Sequence, residues 1–345
     1  MRIVVHEWCC SGGLAGPEAT VVGPAADAIL PEALGMFRAL LVDARRCPGL
    51  DVVALVDETR PLELPAGIDR RPVPPGAEIE TLADAAAGAD AVVVVAPETA
   101  GILGRRVAAV RAAGGRPLAC DPAFIAVAAD KQATALALAA AGVPVPAGRR
   151  LEPHAEWPAD FIRPAICKRL DGVGGDGLRI VDRAGPTPPV FGRPSRIEAF
   201  AAGLPVGVAL ICTAGEARIV AVLEQVFAPG EPGSYRGGRS LADGRARERA
   251  ADLARRAVGA VSRAAAAAAG GWVGVDMILG DREDGMADRV LEVNPRLTTA
   301  FVGLAPRAPA SLVGAMLAPA SRHCHDQASM GLDVSALDFR IDADA

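Results

Sequence analysis

Two lysines and one glycine run carry the first chemical signal in this chain. Lys168 stands just before Asp171-Gly172-Val173-Gly174-Gly175-Asp176-Gly177. Glycines without side chains let a hairpin tip fold closely over phosphates, so that backbone N–H groups reach the anion. The run is not a G-x-x-x-x-G-K-[ST] loop, because the lysine precedes the glycines. Nor is it a dinucleotide fingerprint, because Leu178–Val181 reads as strand rather than helix. Of 36 Lys and Arg residues only Lys131 and Lys168 are lysines, and Asn294 is the only Asn. A lysine that survives in so Arg-rich a chain marks a place where a compact point charge is needed and a planar fork does not serve.

Asp276, Glu292 and Asn294 form the second signal. Strand alternation puts Glu292 and Asn294 on one face. If Gly274–Leu279 is the hairpin neighbour of that strand, Asp276 sits across from them. Two carboxylates and an amide oxygen make a hard, oxygen-only site suited to Mg²⁺ bridging phosphates. No His or Cys belongs to it, which argues against zinc. His323-Cys324-His325 has short spacing near the end of the sequence and reads as adventitious. Cys9 and Cys10 adjoin a glycine loop, with buried inert thiols as the simpler reading.

The elements that must position these residues follow from periodicity. Arg2–His6, Asp51–Asp57 and Ala91–Ala96 read as strands, with a helix over Pro31–Arg46 between the first two. This β-α-β pattern predicts a parallel sheet whose ligand rim lies beyond the strand ends, at Glu7–Gly13 and Pro97–Gly101. Ala126–Ala141 reads as one Ala-rich helix closed by Gly142. Arg163–Val181 reads as two strands flanking the glycine loop, and Gly185–Pro194 as a Pro-rich connection. Paired strands at Val206–Cys212 and Ala217–Val226 precede a long helix over Leu241–Ala269 with a solvated charged face. A hairpin of Trp272–Leu279 with Asp288–Val293 comes last, and regular signals weaken from Pro319. The fold class is α/β, turning α+β in the C-terminal part. The boundaries fall at 1–118 for the N-terminal α/β domain, 119–205 for a small glycine-loop domain, 206–322 for a metal and substrate domain, and 323–345 for a tail.

Bulk properties exclude other classes. The chain of 345 residues has a net charge of −5 with no basic block, so it shows no footprint for nucleic acid. Mean hydropathy is +0.28, but no apolar run reaches membrane-spanning length unbroken. Seven scattered cysteines in a chain of this size suit a reducing, cytoplasmic setting.

Lys131 after Asp130, Lys168 before the glycine loop, Asp276, and Glu292-x-Asn294-Pro295-Arg296 stand in the order of the ATP-grasp superfamily, which this chain resembles over roughly 120–305. The region before it is similar to the domain that precedes ATP-grasp modules. The resemblance implies ATP as cofactor, held at its phosphates by Lys131, Lys168 and the backbone of Gly172, Gly174 and Gly175. It implies Mg²⁺ (two ions, with Mn²⁺ able to substitute) at Asp276, Glu292 and Asn294. Arg296 and Lys168 take the catalytic roles, with Arg296 steadying the transferred phosphoryl group or the carboxylate substrate. The stretch from Glu198 through Phe200 to Val206 is similar to the adenine-contacting hinge, although Leu204 stands where many members carry a ribose-binding acid.

Ser234-Tyr235-Arg236-Gly237-Gly238, Ala96-Pro97-Glu98-Thr99-Ala100-Gly101 and the opening His6-Glu7-Trp8-Cys9-Cys10-Ser11-Gly12-Gly13 resemble segments of the tyramine–glutamate ligase group of methanofuran-type cofactor biosynthesis. That implies ADP-forming γ-glutamylation of an aromatic amine, tyramine or tyrosine, through an acyl-phosphate. Glu7, Glu98, Tyr235 and Arg236 are the implied substrate residues, with Glu98 near the amine and Tyr235-Arg236 covering the substrate. The partners are then small molecules, L-glutamate and an amine, without nucleic acid or membrane, and a homodimer is compatible with ligases of this build. A D-alanine–D-alanine-like ligase and a non-catalytic ATP-binding regulator stay open as alternatives. Against the first, Gly274 stands where such ligases carry an arginine.

Overall fold

A computed structural model describes residues 1–22, 25–60, 62–175, 177–182, 191–230, 233–318 and 337–341, with only the backbone at 25–28. The His323-Cys324-His325 cluster, Asp176, most of the Pro-rich connection and most of the expected tail lie outside the described residues.

The N-terminal part contains β1 (Arg2–Glu7), α1 (Ala19–Val22), α2 (Ala25–Arg45), β2 (Asp51–Asp57), β3 (Asp69–Val73), α3 (Glu78–Ala87), β4 (Ala91–Val95) and α4 (Ile102–Ala112). Its sheet runs β3-β2-β1-β4, parallel throughout. Strands β1, β2 and β4 are buried over almost their whole length, as expected of apolar runs covered on both faces. The helix expected from Pro31 begins six residues earlier and carries Pro31 inside it. The missing N–H of Pro31 removes one helical bond. Burial of Ala33, Met36, Phe37, Leu40, Leu41 and Ala44 offsets that loss.

Next come α5 (Pro122–Ala129) and α6 (Lys131–Ala140), which the sequence suggested as a single helix. They meet at 98°. The break is chemical: Asp130 takes an extended conformation, and its side chain accepts the backbone N–H groups of Gln132 and Ala133 at 2.8 and 2.9 Å. A strong N-cap therefore starts a new helix where helical propensity alone would continue the old one. Lys131 becomes the first residue of α6. Among the described residues no single helix is long and apolar enough to cross a membrane.

A small antiparallel sheet follows, built from β5 (Gly148–Leu151), β6 (Ala165–Arg169), β7 (Arg179–Val181) and β8 (Ser195–Ala199) in the order β5-β8-β6-β7. The glycine loop is the β6–β7 connection, as expected. Cys167 faces this sheet's own small core with Leu151, Ala165 and Ile197.

The large sheet is antiparallel and six-stranded. It combines β9 (Leu204–Thr213), β10 (Glu216–Phe227), β11 (Tyr235–Ser240), β12 (Gly271–Leu279), β13 (Arg289–Asn294) and β14 (Asp338–Arg340) in the order β13-β12-β9-β10-β11-β14. Helix α7 (Gly244–Ala265) covers one face, shorter at both ends than the apolar pattern suggested. Asp243 caps its start, and Ala266 leaves it in left-handed geometry at φ 48°. Its buried side is a run of Ala, Leu and Val from Ala246 to Val261, and its arginines stay outside that stripe. Helices α8 (Ala300–Leu304) and α9 (Leu312–Leu317) pack with α2 over the other face. Strand β14, unforeseen in the fading sequence signal, pairs with β11.

Candidate active site

Strands β12 and β13 make the acidic centre. Asp276 lies opposite Glu292 in their antiparallel register, and Gly274 lies opposite Asn294. The Asn294 amide donates to Asp276 Oδ2 at 2.9 Å, and Gln225 from β10 donates to Asp276 Oδ1 at 2.9 Å. Gln225 reaches across β9 because the intervening residue is Gly207, where a Cβ would stand 3.2 Å from Gln225 Nε2. Burial first, and the Glu292 charge second, push the Asp276 carboxyl up. Burial also acts to raise Glu292, but the ammonium charges of Lys131 and Lys168 outweigh it and hold that carboxyl low.

The two lysines converge on this centre from different elements. Lys131, at the start of α6, pairs with Glu292 at 3.1 Å and donates to Gly172 O at 2.8 Å. Burial would lower its ammonium, yet Glu292 prevails and raises it. Lys168, from β6, pairs with Glu198 at 2.7 Å and reaches Leu291 O at 3.5 Å. Glu198 is further held by Arg196 Nε at 3.1 Å. It sits buried inside the small sheet, away from the cavity wall, while Phe200 at the end of β8 is 43% exposed.

The glycine loop is tied down at its root and folded at its tip. Thr99 Oγ1 donates to Asp171 O at 2.8 Å, and the Ala100 N–H donates to Asp171 Oδ2 at 3.0 Å. Gly174 and Gly175 take φ of 60° and 75°, a region where a side chain is strained. A Cβ on Gly175 would also lie 2.5 Å from Gly233 O. The loop therefore packs backbone to backbone against the segment before β11.

The same segment that holds the loop root holds an arginine. Glu98 is buried and pairs with Arg296 Nε at 2.9 Å. The acids around Arg296, Glu98 foremost, keep its guanidinium charged against burial. Arg296 and the acidic centre open onto a cavity of about 260 Å³. Lys131, Lys168, Gly172, Gly174, Gly175, Asp276, Glu292, Asn294 and Arg296 all line it, together with Glu7 and Tyr235. Glu7 Oε2 accepts the Cys10 N–H at 2.9 Å, and burial raises its carboxyl. Tyr235 meets Phe227 edge to face at 6.1 Å between ring centroids. Glu98 and Arg236 are not on the cavity wall; Arg236, on β11, bonds through its backbone O to Ile341 N. Cys9 and Cys10 are free and buried, and burial drives both thiols far up, which leaves them inert.

The donor set fits a divalent cation shared with a phosphorylated ligand. Two carboxylates and an amide oxygen are the hard donors such a cation takes, and phosphate oxygens and water would supply the rest. Among the described residues no cluster of three or more His, Cys, Asp or Glu could hold a metal by itself. Several contributors carried no signal of their own in the sequence. Gln225 is legible only as one of the alternating residues Leu223, Gln225 and Phe227 of β10 that face the cavity. Glu32, Thr298 and Thr299 also line it, and nothing in their local pattern marks them.

A parallel nucleotide-fold-like sheet, a small sheet with a glycine tip, and a large antiparallel sheet bearing two carboxylates and an amide under two lysines define an ATP-grasp architecture. The chain belongs to the ATP-grasp family: the ATP-grasp domain matches residues 128–300, and the pre ATP-grasp 3 domain matches 50–127. No curated protein matches the chain. Among solved structures it is similar to an ATP-grasp superfamily protein from Archaeoglobus fulgidus, with 19% identity, a TM-score of 0.66, and coverage of 94% of this chain and 90% of that one. It is also similar to the L-amino acid ligase of Bacillus licheniformis, at 14% identity, TM-score 0.62, and coverage of 97% and 77%. The D-alanine–D-alanine ligase of Bacillus anthracis, complexed with ATP, gives 16% identity, TM-score 0.56, and coverage of 92% and 96%. At these identities the likeness speaks to fold.

Proposed function

We propose that this chain is an ATP-dependent, ADP-forming ligase that joins a carboxylate to an amine through an acyl-phosphate. The observation that carries the reading is the convergence of Asp276, Glu292 and Asn294 with Lys131 and Lys168 beneath a glycine loop, on a cavity that also holds Arg296. Bound Mg²⁺-ATP supplies the phosphoryl group that activates the carboxylate. The chain's own groups position and neutralise, which is most of what phosphoryl transfer requires. Lys131 and Lys168 balance phosphate charge, and the Gly172–Gly175 backbone covers the phosphates and excludes the water that would hydrolyse an acyl-phosphate. Asp276, Glu292 and Asn294 would hold the metal. Arg296, oriented by Glu98, steadies the carboxylate or the phosphoryl group in flight.

The finer reading is γ-glutamylation of an aromatic amine, tyramine or tyrosine, in methanofuran-type cofactor biosynthesis. It is supported by the resemblance of the Ser234–Gly238 and Ala96–Gly101 segments and by the Tyr235 and Phe227 rings on the cavity wall. The test is ADP release with Mg²⁺-ATP and L-glutamate, adding tyramine, tyrosine and other amines singly, with products read by mass. A γ-glutamyl product that depends on the amine supports the whole reading. ADP formed only with other carboxylates removes glutamate and keeps the ligase. Binding of ATP without turnover across the panels refutes the ligase in favour of a regulator.

A further inference from the structure

The cavity has a second side that the phosphate and metal groups leave unused. Helix α2 contributes Ile29, Glu32 and Met36 to its lining, and the large sheet contributes Phe227 and Tyr235. Four carboxylates line the cavity: Glu7, Glu32, Asp276 and Glu292. Asp276 and Glu292 belong to the metal-type centre, and Glu7 is engaged by the Cys10 N–H in its own loop. Glu32 is different. Among the described residues the only hydrogen bond to its carboxylate is from Thr299 Oγ1 at 3.3 Å, and it makes no ion pair. Arg296, the nearest cation by charge effect, spends its ion pair on Glu98.

We infer that Glu32, oriented by Thr299, receives the ammonium group of the acceptor amine, while Ile29, Met36, Phe227 and Tyr235 take its apolar body. A carboxylate can accept about four hydrogen bonds, and Glu32 has one; an ammonium brings three donors. Glu32 is half-buried on the cavity wall, burial pushes its carboxyl up, and a cation that reached it would relieve part of that desolvation. Placement suits the role. Tyr235 lines the same cavity as Asp276 and Glu32, and burial first, then the charges of those two acids, raise its hydroxyl. An amine anchored at Glu32 would share one cavity with Asp276, Glu292 and Arg296. The segment similarity suggested Glu98 for this task, but Glu98 is consumed by Arg296 off the cavity wall.

This assignment rests on the ligase reading, and its test is a binding measurement that needs no turnover. Tyramine and tyrosol, which replaces the ammonium with a hydroxyl, are titrated calorimetrically into wild type and E32Q with Mg²⁺ and ADP present. Wild type is expected to prefer tyramine by about tenfold or more, the scale of a charged hydrogen bond. E32Q should bind ADP as wild type does and lose the preference. No preference in wild type, or a preference that survives in E32Q, overturns the assignment. Should E32Q fail to bind ADP, T299V serves instead, and an unchanged tyramine-to-tyrosol ratio there overturns it equally. Amide formation with amine binding indifferent to Glu32 would sink the subsite alone; Glu32-dependent binding without any amide product would sink the ligase alone.

Discussion

Binding of Mg²⁺ should expel a proton from Asp276. In the metal-free protein burial and the adjacent Glu292 charge raise the Asp276 carboxyl, while Lys131 and Lys168 hold Glu292 ionised. A carboxyl must be ionised to ligate a metal. Between the ordinary Asp range and the raised value, each metal therefore displaces about one proton, and apparent affinity falls about tenfold per pH unit on acidification, ~1.4 kcal/mol each. The sign of stability follows. The folded protein holds in that window a proton that the unfolded chain has released, so metal-free stability declines as pH rises through it, and saturating Mg²⁺ should oppose the decline. Calorimetric Mg²⁺ titration with ADP, in buffers of different ionisation enthalpy at about pH 6 and about pH 8, counts the protons. Wild type should release about one more proton than D276N at the lower pH and close to none more at the higher. Equal proton release by wild type and D276N at both pH values would refute this account of the site.

Other outcomes are as specific. Lys168→Ala and Glu292→Ala should each abolish ATP-dependent ADP release with a cooperative thermal transition retained, since Glu198 keeps Arg196 and Lys131 keeps Gly172 O; wild-type rates would remove the phosphate and metal roles. Gly175→Ala should cost about 1–2 kcal/mol for a left-handed residue, and more for the approach to Gly233 O, read as a lowered melting temperature and weakened ADP binding. Thr99→Val deletes the bond to Asp171 O and should lose about 1 kcal/mol of loop anchoring, seen as more ADP released per amide formed. Glu78→Gln leaves His6 and Arg106 buried beside a neutral partner, with a loss of about 3 kcal/mol by denaturation. Burial acts to raise Glu78, but His6 and Arg106 hold it down at about 2, so its contribution is present above the ordinary Glu range and fades as pH falls towards that value.

By itself the sequence determined whatever is periodic or compositionally singular. Alternation placed Glu292 and Asn294 on one face, and the hairpin put Asp276 opposite Glu292. Apolar runs gave the parallel strands, and the two lysines stood out because all the rest of the 36 Lys and Arg residues are Arg. Tertiary structure decided what depends on residues distant in the chain. The break at Asp130 was local chemistry that composition hid: an Ala-rich run looks continuous until one carboxylate caps it. The partners of Lys131 and Lys168 lie 161 and 30 positions away, at Glu292 and Glu198. No period predicts which acids they meet, or that Glu98 serves Arg296. Glu32 is an ordinary helical residue in sequence. It becomes part of a cavity only because α2 packs against α8 and the start of the Thr298–Ala300 turn, a choice made by long-range burial rather than by local preference.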